Sequence, residues 1–85
     1  MRLVLIEWLD SFGCASRWSF IEEPESPPEP KVCRSVGWLA HDGETCKVIL
    51  PHVAFDDGEP EQAMGDMTIP TCAVVRIVDL VEGAA

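Results

Sequence analysis

The longest organised alternation of apolar and polar residues in this chain runs from Lys31 to Pro51. In its first arm Val32, Val36, Trp38 and Ala40 alternate with Cys33, Ser35, Gly37 and His41, and Arg34 interrupts the apolar series. In its second arm Cys46, Val48 and Leu50 point one way, Lys47 and Ile49 the other. A period of two marks strands with one face turned to a core. Between the arms stands Asp42-Gly43, a dipeptide that accepts the positive φ angles of a tight turn. The pattern predicts a hairpin with one side built for burial, without fixing which face of each strand is inside.

Residues 2–9, RLVLIEWL, read as a first strand. Leu3, Leu5 and Leu9 share one face with Glu7, while Val4, Ile6 and Trp8 share the other. Apolar side chains on both faces imply burial on both sides, the second against another subunit. Asp10 to Gly13 read as a turn, and residues 14–23 as either a short strand or a loop held by Trp18. The prolines that follow exclude a central strand or helix interior, because each removes a backbone donor. Residues 22–30 are therefore expected to form an exposed, partly polyproline-like acidic loop. Pro51 to Phe55 extend the second arm irregularly, and 56–61 read as an acidic turn or loop. A short strand ends in Met67-Thr68-Ile69, and Pro70-Thr71-Cys72 read as a break of one 3₁₀ turn. Ala73 to Leu80 form the last strand. This order predicts an all-β fold, a small five-stranded SH3-like or Sm-like barrel in a single domain spanning 1–85. The analogy concerns element order and carries no function.

Composition changes that picture in two ways. Eighty-five residues lie near the size at which a core alone suffices, with about 3–5 kcal/mol of net stability expected, so homo-oligomerisation is expected. The net charge of −9 is also unevenly placed. Glu22, Glu23, Glu25 and Glu29 lie in one loop and Asp56, Asp57, Glu59 and Glu61 in the other. The seven remaining acids nearly balance six Lys and Arg. Acidic loops promote solubility or dock on a basic partner. Nothing offers the basic face that duplex nucleic acid requires.

Cys14, Cys33, Cys46 and Cys72 include no C-x-x-C pair, so reduced thiols, no metal site and no cofactor are expected. The apolar run before Glu7 is too short for a signal core or a membrane span, which points to a cytoplasmic protein without membrane contact.

Glu7-Trp8-Leu9-Asp10-Ser11, Trp18, Ser35-Val36-Gly37-Trp38-Leu39 and Met67-Thr68-Ile69-Pro70 carry a resemblance to small uncharacterised proteins of tailed bacteriophages. The resemblance covers most of the chain and supplies no catalytic residues. It implies an accessory protein working in the host cytoplasm during infection or from a prophage.

Catalysis would need His41 or His52 beside a cysteine or serine and an orienting acid. No phosphate-cradling glycine loop, nucleophile elbow or metalloprotease helix occurs, so no enzyme is expected. Trp8 and Trp38 sit in strands as core aromatics, whereas Trp18 suits an exposed anchor or stacking platform. Arg34 and Arg76 fall inside strands, where each needs water or a carboxylate such as Glu7 or Asp79. Two functions follow. One is a non-enzymatic module that binds a host protein through its loops or outer strands. The alternative is a sponge for nucleotide immune signals, holding a small anion between subunits with Arg34, Arg76, Trp18, Ser35 and Thr71. A structural virion component is a third possibility.

Overall fold

β-Branched and aromatic residues favour the extended backbone of a pleated, half-buried surface, and Val4, Ile6 and Trp8 occupy one face of the first strand, β1 (Arg2–Asp10). In the computed structural model of the chain, which describes residues 1–11, 17, 18, 20, 21 and 29–84, β1 is the centre of an antiparallel sheet. On one side it pairs with β2 (Lys31–Asp42), Val4 opposite Gly37 and Ile6 opposite Ser35. On the other it pairs with the last strand, which puts Ile6 opposite Ile77 and Glu7 opposite Arg76.

From β2 the chain turns into β3 (Cys46–Leu50). Two shorter strands follow, β4 (His52–Asp56) and β5 (Glu59–Met64), which pair with each other and with no strand of the main sheet. The chain then returns through β6 (Met67–Pro70) alongside β3 and makes a 3₁₀ turn at Thr71–Ala73. It ends in β7 (Val74–Asp79) alongside β1. The five-stranded order is β6-β3-β2-β1-β7.

The inner face carries the core. Val4, Ile6, Leu39, Ile49 and Ile69 are buried, with Trp8, Val74 and Ile77 packed against them. Burying a whole aliphatic side chain contributes about 1.5–3 kcal/mol, so each of these five residues is a large contribution in so short a chain. Gly37 lies where β3 passes closest. A Cβ there would stand 3.0 Å from the Leu50 carbonyl oxygen and 3.2 Å from the Ile49 Cβ. Glycine leaves room for this approach because no side chain intervenes.

Several expectations change. The sheet is all-β and five-stranded but does not close into a barrel, since β6 and β7 form its two edges. Pro70 ends β6 without an N–H to offer, and the chain turns at once into the 3₁₀ segment. That turn is held elsewhere: Thr71 donates through its N–H to the Thr45 carbonyl at 3.0 Å and through its hydroxyl to the Gly43 carbonyl at 2.9 Å. The acidic stretch 56–61, expected as a turn or loop, is a tight turn at Asp57-Gly58 with its flanking residues paired as strands. Asp56 pairs with Glu59, and Asp57 and Gly58 adopt φ of 52° and 80°, as a type I′ turn requires. Asp42-Gly43 takes no positive φ. Its turn runs on through Glu44 and Thr45, closed by Gly43 N–H donating to the Cys46 carbonyl at 3.0 Å.

The hairpin of β2 and β3 also faces the other way from its hydrophobic pattern. Its buried side is the one with Gly37, Leu39 and Ile49; Val36 and Trp38 lie on the outer side with Leu50. Trp18 is fully exposed, and Arg17, Phe20 and Ile21 lie outside any strand. The remainder of the stretch 14–23, and residues 22–28 of the proline-rich loop, lie outside the described residues.

Candidate functional site

Strand pairing fixes what the outer face of the sheet presents. Residues opposite each other in a ladder point to the same side, so Leu3 shares a side with Trp38, Leu5 with Val36 and Val78, and Trp38 with Leu50. None of these is fully buried, and Val36 remains 51% exposed. Leu9 and Val32, paired further along, are exposed as well.

In the middle of this apolar field runs one ionic row across three strands. Glu7 on β1 lies opposite both Arg34 on β2 and Arg76 on β7. Arg76 forms a two-pronged bond, Nε to Oε2 at 2.9 Å and a terminal nitrogen to Oε1 at 3.1 Å. Arg34 Nε reaches Oε1 at 3.2 Å. The Arg76 hydrogen bond, followed by the positive charges of Arg76 and Arg34, holds the Glu7 carboxyl below its ordinary value of 4.5 despite partial desolvation. The same contact raises the Arg76 guanidinium. Both arginines keep more than half of their side-chain surface in water, while Glu7 keeps 19%.

Of the five residues expected to gather round an anion, the structure brings together Arg34 and Arg76. Ser35 points to the inner face, where its hydroxyl accepts from the Trp8 indole N–H at 3.0 Å. Thr71 is engaged with the β2–β3 turn. Trp18 makes no approach to the row, standing fully exposed beyond the end of β1.

The second feature is the β4–β5 hairpin, an arm missed by reading 51–61 as irregular chain. Apart from half-buried Val53, all of its strand residues are exposed. Pro60 sits within β5 opposite Phe55. A proline weakens a strand reading, yet a two-stranded ribbon tolerates one because each strand has a free edge. The stem exposes Phe55 and Met64. The tip sets Asp56 directly opposite Glu59, with Asp57 and Glu61 beside them. Like charges directly across a ladder repel. Where the arm leaves the sheet, Trp38, Pro51, His52, Val53, Gln62 and Met64 line an open cleft of about 470 Å³.

A third cluster sits at the far end of the sheet. Arg2 Nε donates to Asp79 at 2.8 Å and Lys47 Nζ to Asp42, which the lysine holds below its ordinary value. These bonds tie β1 to β7 and close the β2–β3 turn. Cys33, Cys46 and Cys72 are free thiols on three different elements, and His41 and His52 are exposed on β2 and β4. Among the described residues no three His, Cys, Asp or Glu side chains gather as metal ligands, and no helix is long and apolar enough to cross a membrane. Comparison with known proteins gives no matching family model, curated protein or solved structure.

Proposed function

We propose that this chain is a non-enzymatic binding module that grips a protein partner with the β4–β5 arm, and that the partner presents a basic surface. The observation that carries this reading is the arm itself. An isolated two-stranded hairpin is marginal in water, and this one keeps a defined turn while its strands expose Phe55, Met64 and a cluster of four acids. Apolar surface beside concentrated charge of one sign is the composition of a recognition element. A cationic partner would relieve the repulsion between Asp56 and Glu59. The resemblance to tailed-phage proteins sets the reading in infection, with a host protein in the cytoplasm as the partner. The single 3₁₀ turn between the last two strands supports an opened variant of the SH3-like or Sm-like pattern as the scaffold.

Affinity capture from bacterial lysate, followed by titration of the purified captured protein, tests this. Neutralising the tip with D56N, E59Q and E61Q is expected to weaken binding at least tenfold and flatten its salt dependence. Binding that is indifferent to those changes and to Phe55→Ser would remove the arm as the contact.

Nucleotide capture has one specific observation in its favour, the convergence of Arg34 and Arg76. Glu7 already occupies much of their donor capacity, so an anion would have to compete with a carboxylate held in place. Native mass spectrometry before and after denaturation discriminates the two readings. A small mass that is released on denaturation, and absent from the Arg34→Ala and Arg76→Ala variants, would favour the nucleotide.

A further inference from the structure

We propose that two copies of this chain associate through the outer face of the five-stranded sheet, each supplying the same apolar field and the same Arg–Glu–Arg row. This goes beyond the arm reading and does not depend on it.

The first ground is which face the chain made apolar. The inner face of β2 carries the small residues Ser35 and Gly37, with Leu39 as its buried aliphatic. The outer face carries Leu3, Leu5, Val36, Trp38, Leu50 and Val78, all partly in water. A monomer seldom leaves more than about 300–600 Å² of contiguous apolar surface open. β1 alone, at ~3.3 Å per residue, runs roughly 30 Å, and four adjacent strands at ~4.8 Å spacing add roughly 20 Å of width. That outline of roughly 600 Å², the ionic row included, is the footprint of the whole face and approaches the ~800 Å² per partner of a standard interface. Its natural occupant is another sheet, since face-to-face sheets interdigitate side chains at ~10 Å separation.

The second ground is charge, and it selects a second copy over an unrelated sheet. The chain carries −9 overall, so most approaches between two copies set acid against acid. The outer face is different: Glu7 lies between Arg34 and Arg76, a row of plus, minus, plus. In an isologous contact the partner presents the same row in reverse. A stagger of one strand, about 4.8 Å, then sets each Glu7 against an arginine of the other copy. The pattern is complementary to itself. The row is also internally paired before contact, which lowers the cost of covering it.

The test is the mass of the full chain in solution, by light scattering and sedimentation at micromolar concentration. The wild type is expected at twice the 9.4 kDa chain mass. Val36→Glu and Val32→Glu introduce a carboxylate at positions that are exposed in the single chain, so folding, followed by circular dichroism, is expected to survive. Dimerisation is expected to fall on the order of a hundredfold or more, because the new carboxylate must give up its water on contact and adds to the repulsion between two acidic chains. Phe55→Glu, on the arm, is expected to leave the dimer intact. A monomeric wild type would overturn the proposal. So would folded Val36→Glu and Val32→Glu chains that remain dimeric, or a dimer broken by Phe55→Glu alone.

Discussion

Glu7 is the residue at which three strands meet electrostatically, and its behaviour with pH is predictable in sign. Its folded carboxyl is held below 4.5, first by the Arg76 hydrogen bond and then by the two positive charges. A depressed folded value means that the unfolded chain takes up the proton first as pH falls. The stabilisation is therefore complete above about pH 5 and is lost as pH drops through the folded value. Melting curves of the wild type and Glu7→Gln, taken from about pH 6 downward, are expected to differ most at the higher pH and to draw together as the folded carboxyl takes up its proton. Gly37 gives a second prediction at this scale. Adding the Cβ of alanine presses on the Leu50 backbone and the Ile49 side chain, neither of which is a flexible end. Gly37→Ala is expected to cost about 1–3 kcal/mol, measured by urea unfolding. Gly58→Ala meets no neighbour within 4 Å and is strained only by its φ of 80°, so about 1 kcal/mol is expected. Much at this scale was legible beforehand. Arginine inside a strand needs water or a carboxylate, Glu7 was one of the two carboxylates expected for it, and both arginines have water and carboxylate at once. The roles of Ser35 and Thr71 were not legible, because a hydroxyl that serves an indole or a turn looks the same in sequence as one that awaits a ligand.

Among the elements, β1 and β7 were readable because each is mostly apolar: leucine, valine, isoleucine and tryptophan around one Glu7 in β1, valine and isoleucine around one Arg76 in β7. The sidedness of β2 was not. Both of its alternating sets contain apolar residues, and the close approach of Leu50 and Ile49 leaves room only for a glycine at 37, on the inner side, which sends its neighbours Trp38 and Val36 outward. The chain holds two Asp-Gly pairs, and the tight turn formed at the less obvious one. Asp42-Gly43 is followed by two further turn residues, and its glycine carbonyl accepts from both Lys47 and Thr71 at 2.9 Å. Asp57-Gly58 is flanked by acids and a proline, residues poor in strands, so its hairpin left little trace. That same poverty makes the arm sensitive. Replacing Gly58 with valine, which resists positive φ, is expected to fray the arm while the main sheet holds. Amide exchange would then accelerate in β4 and β5 and stay slow at Val4, Ile6 and Ile77. Equal loss of protection in both sheets would show that the arm and the core unfold as one unit.

Across the whole molecule the charge and the apolar surface are separated, and the two proposed contacts should respond to salt with opposite sign. The arm joins an acidic tip to a basic partner, so screening weakens it. The outer sheet face joins two chains of −9 each through a surface whose charges are internally paired, so screening mainly removes repulsion between the copies. Salt shortens the Debye length from about 10 Å at 0.1 M to about 3 Å at 1 M, far enough to silence the acids outside the interface while leaving apolar burial in place. Dimer dissociation measured by sedimentation across that range is expected to stay level or tighten, while the affinity for the basic partner falls by at least tenfold. A face-to-face dimer would also carry two arms, so a partner with repeated basic sites would be held more tightly than one arm alone permits. Val36→Glu separates these effects, since it leaves the arm untouched and should reduce such a partner's affinity to that of a single arm. If the dimer instead dissolved as salt rose, electrostatic pairing rather than apolar burial would hold it, and the Arg34–Glu7–Arg76 row would be the dominant contact.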